Sequence, residues 1–208
     1  IPPASESRPE LEGQIEQIKK VLRLKKGDDL ILADGKLNEA VCKIENMEGG
    51  IEVLVGDVYQ NQNESKTKAT LYCAILKKEN FEWVVQKATE VGINKIVTII
   101  TARTVKQNLN LERLCKIIRE AAEQSGRGLV PEIIEPINFE NALRGVGKNE
   151  LGLFFDVSGE PALSVIASPI PEQVRYGVNS AKQSHGNLKN INIFIGPEGG
   201  WTEEEIEL

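Results

Sequence analysis

The stretch that decides the fold of this chain covers residues 193–208 and reads IFIGPEGGWTEEEIEL. An apolar run of the kind found in buried strands stops at Gly196, and a five-residue loop with three glycines follows it. Thr202 and Glu205 then form the T-x-x-E pattern of a helix capping box. A strand, a glycine-rich loop and a helix in this order are typical of an open α/β sheet, in which ligands bind at the carboxyl ends of the strands.

The chemistry of this loop differs from that of the common nucleotide-binding motifs. A phosphate-binding P-loop needs a lysine directly after its last glycine, and Trp201 occupies that position. The G-P-E-G-G spacing also differs from the dinucleotide fingerprint G-x-G-x-x-G, which makes a nicotinamide-dependent dehydrogenase the weakest interpretation. Adjacent glycines permit the close approach of a flat ligand, and Glu198 favours a cation. The competing interpretation is an ordinary strand-to-helix turn, for which one glycine would suffice.

Upstream of this stretch, apolar runs alternate with helical patterns. The runs at 70–76, 95–100 and 151–156 predict strands that are buried on both faces. Two helices are predicted by apolar stripes of helical spacing, which are Phe81, Val84, Val85, Ala88 and Val91 in the first and Leu111, Leu114, Cys115, Ile118, Ala121, Ala122 and Ser125 in the second. This alternation predicts an α/β domain with a mostly parallel sheet over residues 67–208.

Residues 1–66 have a different pattern, which predicts a small β-rich domain. Short apolar runs alternate with turn signals, and Asp34-Gly35 between two such runs predicts a tight hairpin. The polar segment at 60–68 is interpreted as the linker between the two domains.

The charge of the chain gives two opposing indications about nucleic acids. The formal net charge of −6 argues, taken alone, against a nucleic-acid binder. A binding face needs only a local basic patch, however, and a run without acids contains Lys19, Lys20, Arg23, Lys25 and Lys26. A solvated face beside an apolar stripe is the competing interpretation of this run.

Composition also limits the metal, redox and membrane chemistry that we expect. Three widely spaced cysteines and a single histidine offer little material for a zinc site or a disulfide scaffold. They favour a reducing, cytoplasmic location and a protein without a metal site. No apolar run reaches the ~20 residues that span a bilayer, so we expect no membrane partner.

Two arginines are candidates for contacts with a substrate. Arg127 follows the second helical stripe and lies between two glycines, which predicts a side chain that is mobile enough to reach a substrate. A cation that caps the negative end of the helix is the equally favoured alternative. Arg103 follows the strand at 95–100, on the ligand-bearing edge of the sheet, where it suits a phosphate or RNA contact; solubility alone is the alternative.

Together these segments resemble one family. KKVLRLKKGDDLILADG, EWVVQKATEVGINKIVTIITART, EAAEQSGRGLVPEI and IFIGPEGGWTEEEI follow the order and spacing of the bacterial RsmE family, which are 16S ribosomal RNA uridine-N3 methyltransferases of the SPOUT class. The resemblance implies an N-terminal PUA-like β-barrel that binds RNA, and a C-terminal α/β domain with a trefoil knot. It also implies a homodimer whose knot loops bind S-adenosylmethionine, and ribosomal RNA or the small ribosomal subunit as partner.

The resemblance assigns roles to the candidate residues. The cofactor site would contain Phe155, Asp156, Ile195, Gly196, Pro197, Glu198, Gly199 and Gly200. Arg127 would hold the uridinate or a phosphate, and Glu198 is a second candidate for base or substrate positioning. The RNA-facing surface would contain Lys19, Lys20, Arg23, Lys25, Lys26 and Arg103.

The sequence departs from the family pattern at its end, because family members continue past Leu208 with a strand and loop that close the knot. We therefore expect an incomplete knot and a missing wall of the cofactor pocket in this chain. Two alternatives stay open: a SPOUT enzyme that methylates a ribose 2′-OH or a tRNA base, and a non-catalytic RNA-binding module.

Overall fold

The computed structural model describes residues 9–105, 108–147, 150–156 and 189–208, and the chain divides into two units, Ile1–Gln62 and Asn63–Leu208. The division falls within the polar segment that was interpreted as a linker. Each unit has its own sheet.

The first unit contains a three-stranded antiparallel sheet in the order β1-β2-β3. Its elements are helix α1 (Pro9–Glu16), a π-helical turn (Gln17–Val21) and strands β1 (Asp29–Ala33), β2 (Asn38–Asn46) and β3 (Glu52–Gln60). The hairpin predicted at Asp34-Gly35 is confirmed, since Asp34 accepts the backbone N–H groups of Lys36 and Asn38 between β1 and β2. Cys42 and Ile44 are buried on one face of β2. The closure of this sheet into a barrel stays a prediction.

The second unit contains a five-stranded sheet in the order β6-β5-β4-β8-β7, with every neighbouring pair parallel. Its elements are β4 (Lys68–Ala74), α2 (Lys78–Glu90), β5 (Lys95–Ile100), α3 (Leu111–Gln124), β6 (Glu132–Asn138), α4 (Phe139–Arg144), β7 (Leu151–Phe155), β8 (Asn190–Ile195) and α5 (Glu203–Glu207). The predicted α/β architecture with a parallel sheet is confirmed, and the trefoil knot stays a prediction.

Two apolar clusters pack against this sheet. One joins α2 and α3 to the sheet through Phe81, Val85, Leu114 and Ile118, which are all buried. Most of the predicted helical stripes therefore form the core. Val91, Cys115 and Ser125 are exposed. Val91 and Ser125 lie just past the last residues of α2 and α3, and Cys115 lies at the margin of the buried face of α3.

The second cluster is aromatic. Tyr72 and Phe194 stack across β4 and β8 with ring centroids 4.4 Å apart. Trp201 packs against Phe154 at 4.4 Å and against Phe139 at 4.9 Å. Trp201 thus ties the chain that follows β8 to the core, since aromatic pairs of this kind add to the free energy gained from burial.

The described residues contain no candidate for a membrane-spanning helix or for a metal-binding cluster. Within these ranges, no helix has both the length and the apolar character that crossing a bilayer requires. In the same part of the chain, histidine, cysteine and acidic side chains do not gather in groups of three or more that could hold a metal ion.

Candidate ligand site at the carboxyl edge of the sheet

The loop Gly196–Gly200 follows the carboxyl end of β8. It lies beside the exits of β4, β5 and β7, that is, the carboxyl ends of those strands and the residues that directly follow them. This placement follows from the sheet, because parallel strands all end at the same edge. Within the described residues, side chains or backbone groups from all three neighbouring exits contact the loop or the residues that directly follow it.

The indole ring of Trp201 packs against Gly196, at the start of the loop. Its indole Nε1 donates to the carbonyl oxygen of Phe155, at the end of β7, over 2.9 Å. A Cβ atom at Gly196 would lie 2.8 Å from Cε2 of the Trp201 ring, which is closer than real Cβ contacts allow. Glycine is therefore required at 196 so that the backbone can pass over the indole.

Glu198 connects the middle of the loop to the exit of β4. Its Oε1 accepts long hydrogen bonds from the Lys77 backbone N–H, at 3.4 Å, and from Asn80 Nδ2, at 3.5 Å. A hydrogen bond from its own backbone N–H is the main cause of a pKa below the ordinary carboxyl value, and the contacts with Lys77 and Asn80 add to it. Glu198 is thus an exposed carboxylate that stays charged at neutral pH.

The exit of β5 contacts the end of the loop at two points. Arg103 Nη1 donates to the Gly199 carbonyl oxygen over 2.7 Å, and the Ala102 backbone N–H donates to Oε1 of Glu205, also over 2.7 Å. Glu205 also forms the predicted capping box with Thr202, which is confirmed. A single carboxylate therefore caps α5 and ties it to the neighbouring strand exit.

Apolar side chains line the same edge. Phe155 and Ile195 are direct neighbours in the sheet and are 44% and 39% exposed. An aromatic ring and an aliphatic side chain left open at a strand-end crevice suit a flat, partly apolar ligand. Together with the glycine backbone and the Glu198 carboxylate, they form a candidate site whose chemistry suits a molecule with a planar part and a positive charge.

Arg127 lies elsewhere, and the expectation of a mobile side chain is wrong. Its guanidinium is buried and forms a two-point ion pair with Glu64, with Nη2 2.8 Å and Nε 3.1 Å from the two carboxylate oxygens. Its Nη1 donates to the carbonyl oxygens of Thr89, at 3.1 Å, and of Ile93. The interpretation as a helix-end cation has the right chemistry, but the end that it caps belongs to α2 instead of α3.

The position of this ion pair separates it from the loop. Glu64 precedes β4, Ile93 precedes β5 and Leu129, whose N–H also reaches Glu64, precedes β6. The pair therefore lies at the amino edge of the sheet, and strands of six or seven residues put roughly 20 Å between the two edges. The contact predicted between Arg127 and a uridinate has no support in this geometry.

The contacts of Glu64, Trp201 and Glu205 were not predicted from the sequence. Glu205 was recognised as a capping residue, and its bond to Ala102 joins residues 103 positions apart. Glu64 and Arg127 are 63 positions apart, and the polar composition around Glu64 indicated only a linker. No local pattern carries such pairings, whereas a carboxylate beside a buried guanidinium is clear once the sheet is assembled.

In the basic run of the first unit, Lys19 and Lys20 have side-chain contacts. Lys19 donates to the Met47 carbonyl oxygen over 2.8 Å, and Lys20 forms an exposed ion pair with Glu16. Arg23, Lys25 and Lys26 are exposed. The surface that these residues were expected to share with Arg103 of the second unit stays a prediction.

Comparison with known proteins gives two matching family models. The first, an RNA methyltransferase domain, matches residues 63–208. The second, an RNA methyltransferase PUA domain, matches residues 18–56. The two matches fall on the second and the first unit respectively.

Similar proteins carry the name "Ribosomal RNA small subunit methyltransferase E". The chain is 33% identical to that of Synechocystis sp. over 94% of its own length and 60% of the relative, and 31% identical to that of Rickettsia conorii over 93% and 73%. The chain thus spans less than two thirds of the Synechocystis protein. The Neisseria gonorrhoeae enzyme, solved with bound S-adenosyl methionine, matches with a TM-score of 0.73 and 25% identity, over 93% of this chain and 75% of that one.

Gly196→Ala tests whether the loop is fixed on Trp201. The added methyl group has to displace the indole, so we expect a loss of about 1–3 kcal/mol in the free energy of unfolding and a changed near-ultraviolet dichroism from Trp201. Gly152→Ala, in neighbouring β7, is the matched control, because a Cβ there meets no atom within 4 Å. Equal urea midpoints for both variants would contradict the close packing.

Glu64→Gln tests the ion pair at the amino edge. The Glu64 and Arg127 side chains are only 11% and 6% exposed, and removing one charge from a buried pair costs about 3 kcal/mol. Burial opposes ionisation of Glu64, but the hydrogen bonds from Arg127 and from the Leu129 N–H outweigh it and hold its pKa below the ordinary value.

The sign of this shift gives the pH dependence of the stability difference. A lowered pKa stabilises the folded protein above the ordinary carboxyl pKa of about 4.3, and this contribution is lost as the pH falls through the lowered value. Urea unfolding should thus show a full difference between wild type and Glu64→Gln at pH 7 that shrinks below pH ~4. The exposed Glu140–Arg144 pair supplies the control Glu140→Gln, for which the midpoint should not move.

Proposed function

Because the chain belongs to the RsmE family, the ribosomal RNA small subunit methyltransferases E, we propose that it transfers the methyl group of S-adenosylmethionine to N3 of a uridine in 16S ribosomal RNA. The observation that carries this proposal is the loop Gly196–Gly200, held at the carboxyl edge of the sheet by the exits of β4, β5 and β7. The segment lies inside the matched RNA methyltransferase domain.

The residues present fit this cofactor. The glycine backbone of the loop and the open faces of Phe155 and Ile195 suit the planar adenine. The Glu198 carboxylate suits a positively charged sulfonium, because its lowered pKa keeps it ionised. When bound, S-adenosylmethionine supplies an electrophilic methyl group on a positively charged sulfur.

The chain's own residues then have to present the uridine to that methyl group. N3 lies on the Watson–Crick edge, so the base must be unpaired or extruded before it reacts. N3 would give up its proton to solvent, and its electron pair would then form the N–C bond while the sulfur keeps the electrons of the C–S bond and leaves as the neutral thioether S-adenosylhomocysteine. Positioning of the two reactants supplies much of the rate.

Glu198 fits an electrostatic role better than that of a general base. A carboxylate with a lowered pKa is a weak proton acceptor, whereas its charge remains available to a sulfonium over the whole neutral range. Arg127 takes no part in this step of the proposal, because its donors are directed to Glu64, Thr89 and Ile93.

The remaining parts of the proposal concern assembly. The second unit is part of a SPOUT trefoil-knot domain that dimerises, and the cofactor lies beside the dimer interface. The first unit forms a PUA-like barrel whose basic run contacts ribosomal RNA in the cytoplasm. The reaction itself requires no metal, since the sulfonium already activates the methyl group.

Reverse transcription tests the position of the methyl group. The native gene product, with S-adenosylmethionine and small subunits from a deletion strain, should create one strong stop at a uridine, because N3-methylation blocks Watson–Crick pairing. Free 16S ribosomal RNA is run in parallel to identify the substrate. Resistance to alkaline cleavage without a stop would indicate ribose 2′-O-methylation instead, and the absence of both methyl transfer and calorimetric heat with the cofactor would indicate a non-catalytic RNA-binding module.

A double variant, Lys25→Ala with Lys26→Ala, tests the RNA-facing role of the basic run. If both side chains contact phosphates, the slope of log K against log salt should become shallower by about 1.5–2, and affinity should fall alike for all RNA sequences. Lys43→Ala is the control, since Lys43 is an exposed lysine of the same unit that pairs with Asp29. An unchanged slope in the double variant would leave the run as a solvated face.

A further inference from the structure

The chain that leaves β5 contacts loop Gly196–Gly200 and the start of α5 together. Arg103 reaches back to the Gly199 carbonyl oxygen, and the Ala102 N–H reaches forward to Glu205. These two neighbouring residues therefore fix the chain on either side of Gly200 and Trp201. A bond from a guanidinium to a carbonyl oxygen is charge-assisted, and such bonds are stronger than neutral ones.

The glycines of the loop make this approach possible. A Cβ atom at Gly199 would lie 3.5 Å from Cδ of Arg103 and one at Gly200 would lie 3.9 Å from Nη1, so the arginine side chain lies directly against this backbone. Gly200 has φ +72°, a conformation that L-residues with side chains rarely adopt. The turn at Gly200 presents the Gly199 carbonyl to Arg103 and leads the chain into Trp201.

This geometry distinguishes two roles for Arg103. The sequence placed it on the RNA-facing surface, because a cation after a strand suits a phosphate. In the structure its guanidinium is 2.7 Å from a carbonyl oxygen of the loop that would hold the cofactor. If Arg103 holds the loop, its removal should weaken cofactor binding. If it contacts a phosphate, its removal should weaken RNA binding and reduce the salt dependence of that binding.

We propose that Arg103 is a positioning residue for the cofactor: by holding the Gly199 carbonyl it keeps loop Gly196–Gly200 in the conformation that receives S-adenosylmethionine. This inference rests on the proposed function and deepens it. Arg103 acts through the loop backbone and does not itself contact the reacting atoms.

The test compares Arg103→Met with Arg103→Lys in the native gene product. Methionine keeps much of the side-chain bulk but has no donor, so the dissociation constant for S-adenosylmethionine in calorimetry should rise about tenfold, the factor that 1.4 kcal/mol represents. Lysine keeps a charged donor and should recover most of the affinity. In steady state, KM for the cofactor should rise while kcat at saturating cofactor stays close to wild type, and RNA affinity and its salt slope should not change.

A loop readout that does not depend on activity accompanies the binding data. Trp201 labelled as 5-fluorotryptophan, with its ¹⁹F line assigned by Trp201→Phe, should shift or broaden in Arg103→Met and return towards wild type in Arg103→Lys. Arg113→Met is the matched control, since Arg113 is an exposed arginine of α3 paired with Glu82. It should change neither the ¹⁹F line nor the cofactor affinity.

Three results would overturn the inference, and they can be told apart. Wild-type cofactor affinity in Arg103→Met would refute the positioning role while leaving the proposed function intact. A salt slope shallower by about 1 with unchanged cofactor affinity would assign Arg103 to an RNA phosphate. If the wild-type protein itself released no heat with the cofactor, the proposed function would fail first, and the inference with it.

Discussion

The five strands of the second unit are all parallel. Their carboxyl ends therefore all lie at one edge of the sheet, and their amino ends all lie at the other. Four of those exits meet around Gly196–Gly200, so residues from distant parts of the sequence become neighbours without any local signal. Arg103, which follows β5, donates to the Gly199 carbonyl oxygen. Trp201, which follows the loop, donates to the Phe155 carbonyl oxygen at the end of β7. A glycine-rich loop without such contacts would be flexible. The hydrogen bonds from the residues after β4 and β5 restrict its conformation.

The opposite edge carries contacts of another kind. Glu64 pairs there with Arg127, and Glu150 accepts the side-chain amides of Asn190 and Asn192 at the entries of β7 and β8. Hydrogen bonds hold the pKa of both carboxyls below the ordinary value, although burial opposes this shift. These carboxylates, of which Glu150 is only partly buried, are satisfied by protein donors. This suits a structural role and leaves ligand chemistry to the other edge.

Sequence periodicity predicted most elements of the second unit, but it missed helix α1 of the first unit and the pairings between distant side chains. The run at 95–100 coincides with β5, and the stripe containing Phe81, Val85 and Ala88 lies on the buried face of α2. Arg127 shows the limit of such reasoning. Flanking glycines indicated mobility, but its partners are Glu64 and the carbonyl groups of Thr89, in α2, and Ile93, before β5. These groups become neighbours only when β4, β5 and β6 align. Side-chain partners that are distant in sequence depend on the assembled sheet, and no window of local sequence contains them.

The distribution of charge suggests how a chain with a net charge of −6 could act on the proposed RNA substrate. Glu198, Glu203 and Glu204 are exposed around the loop and the first turn of α5, where negative charge also stabilises the helix start. In the proposed function this negative charge favours a sulfonium and disfavours phosphate, so the RNA backbone would be held by other surfaces. The acid-free run from Lys19 to Lys26, in the unit that matches a PUA domain, is the proposed surface for that contact. An acidic chain can in this way serve RNA chemistry, provided that the methyl donor and the RNA backbone are bound by surfaces of opposite charge.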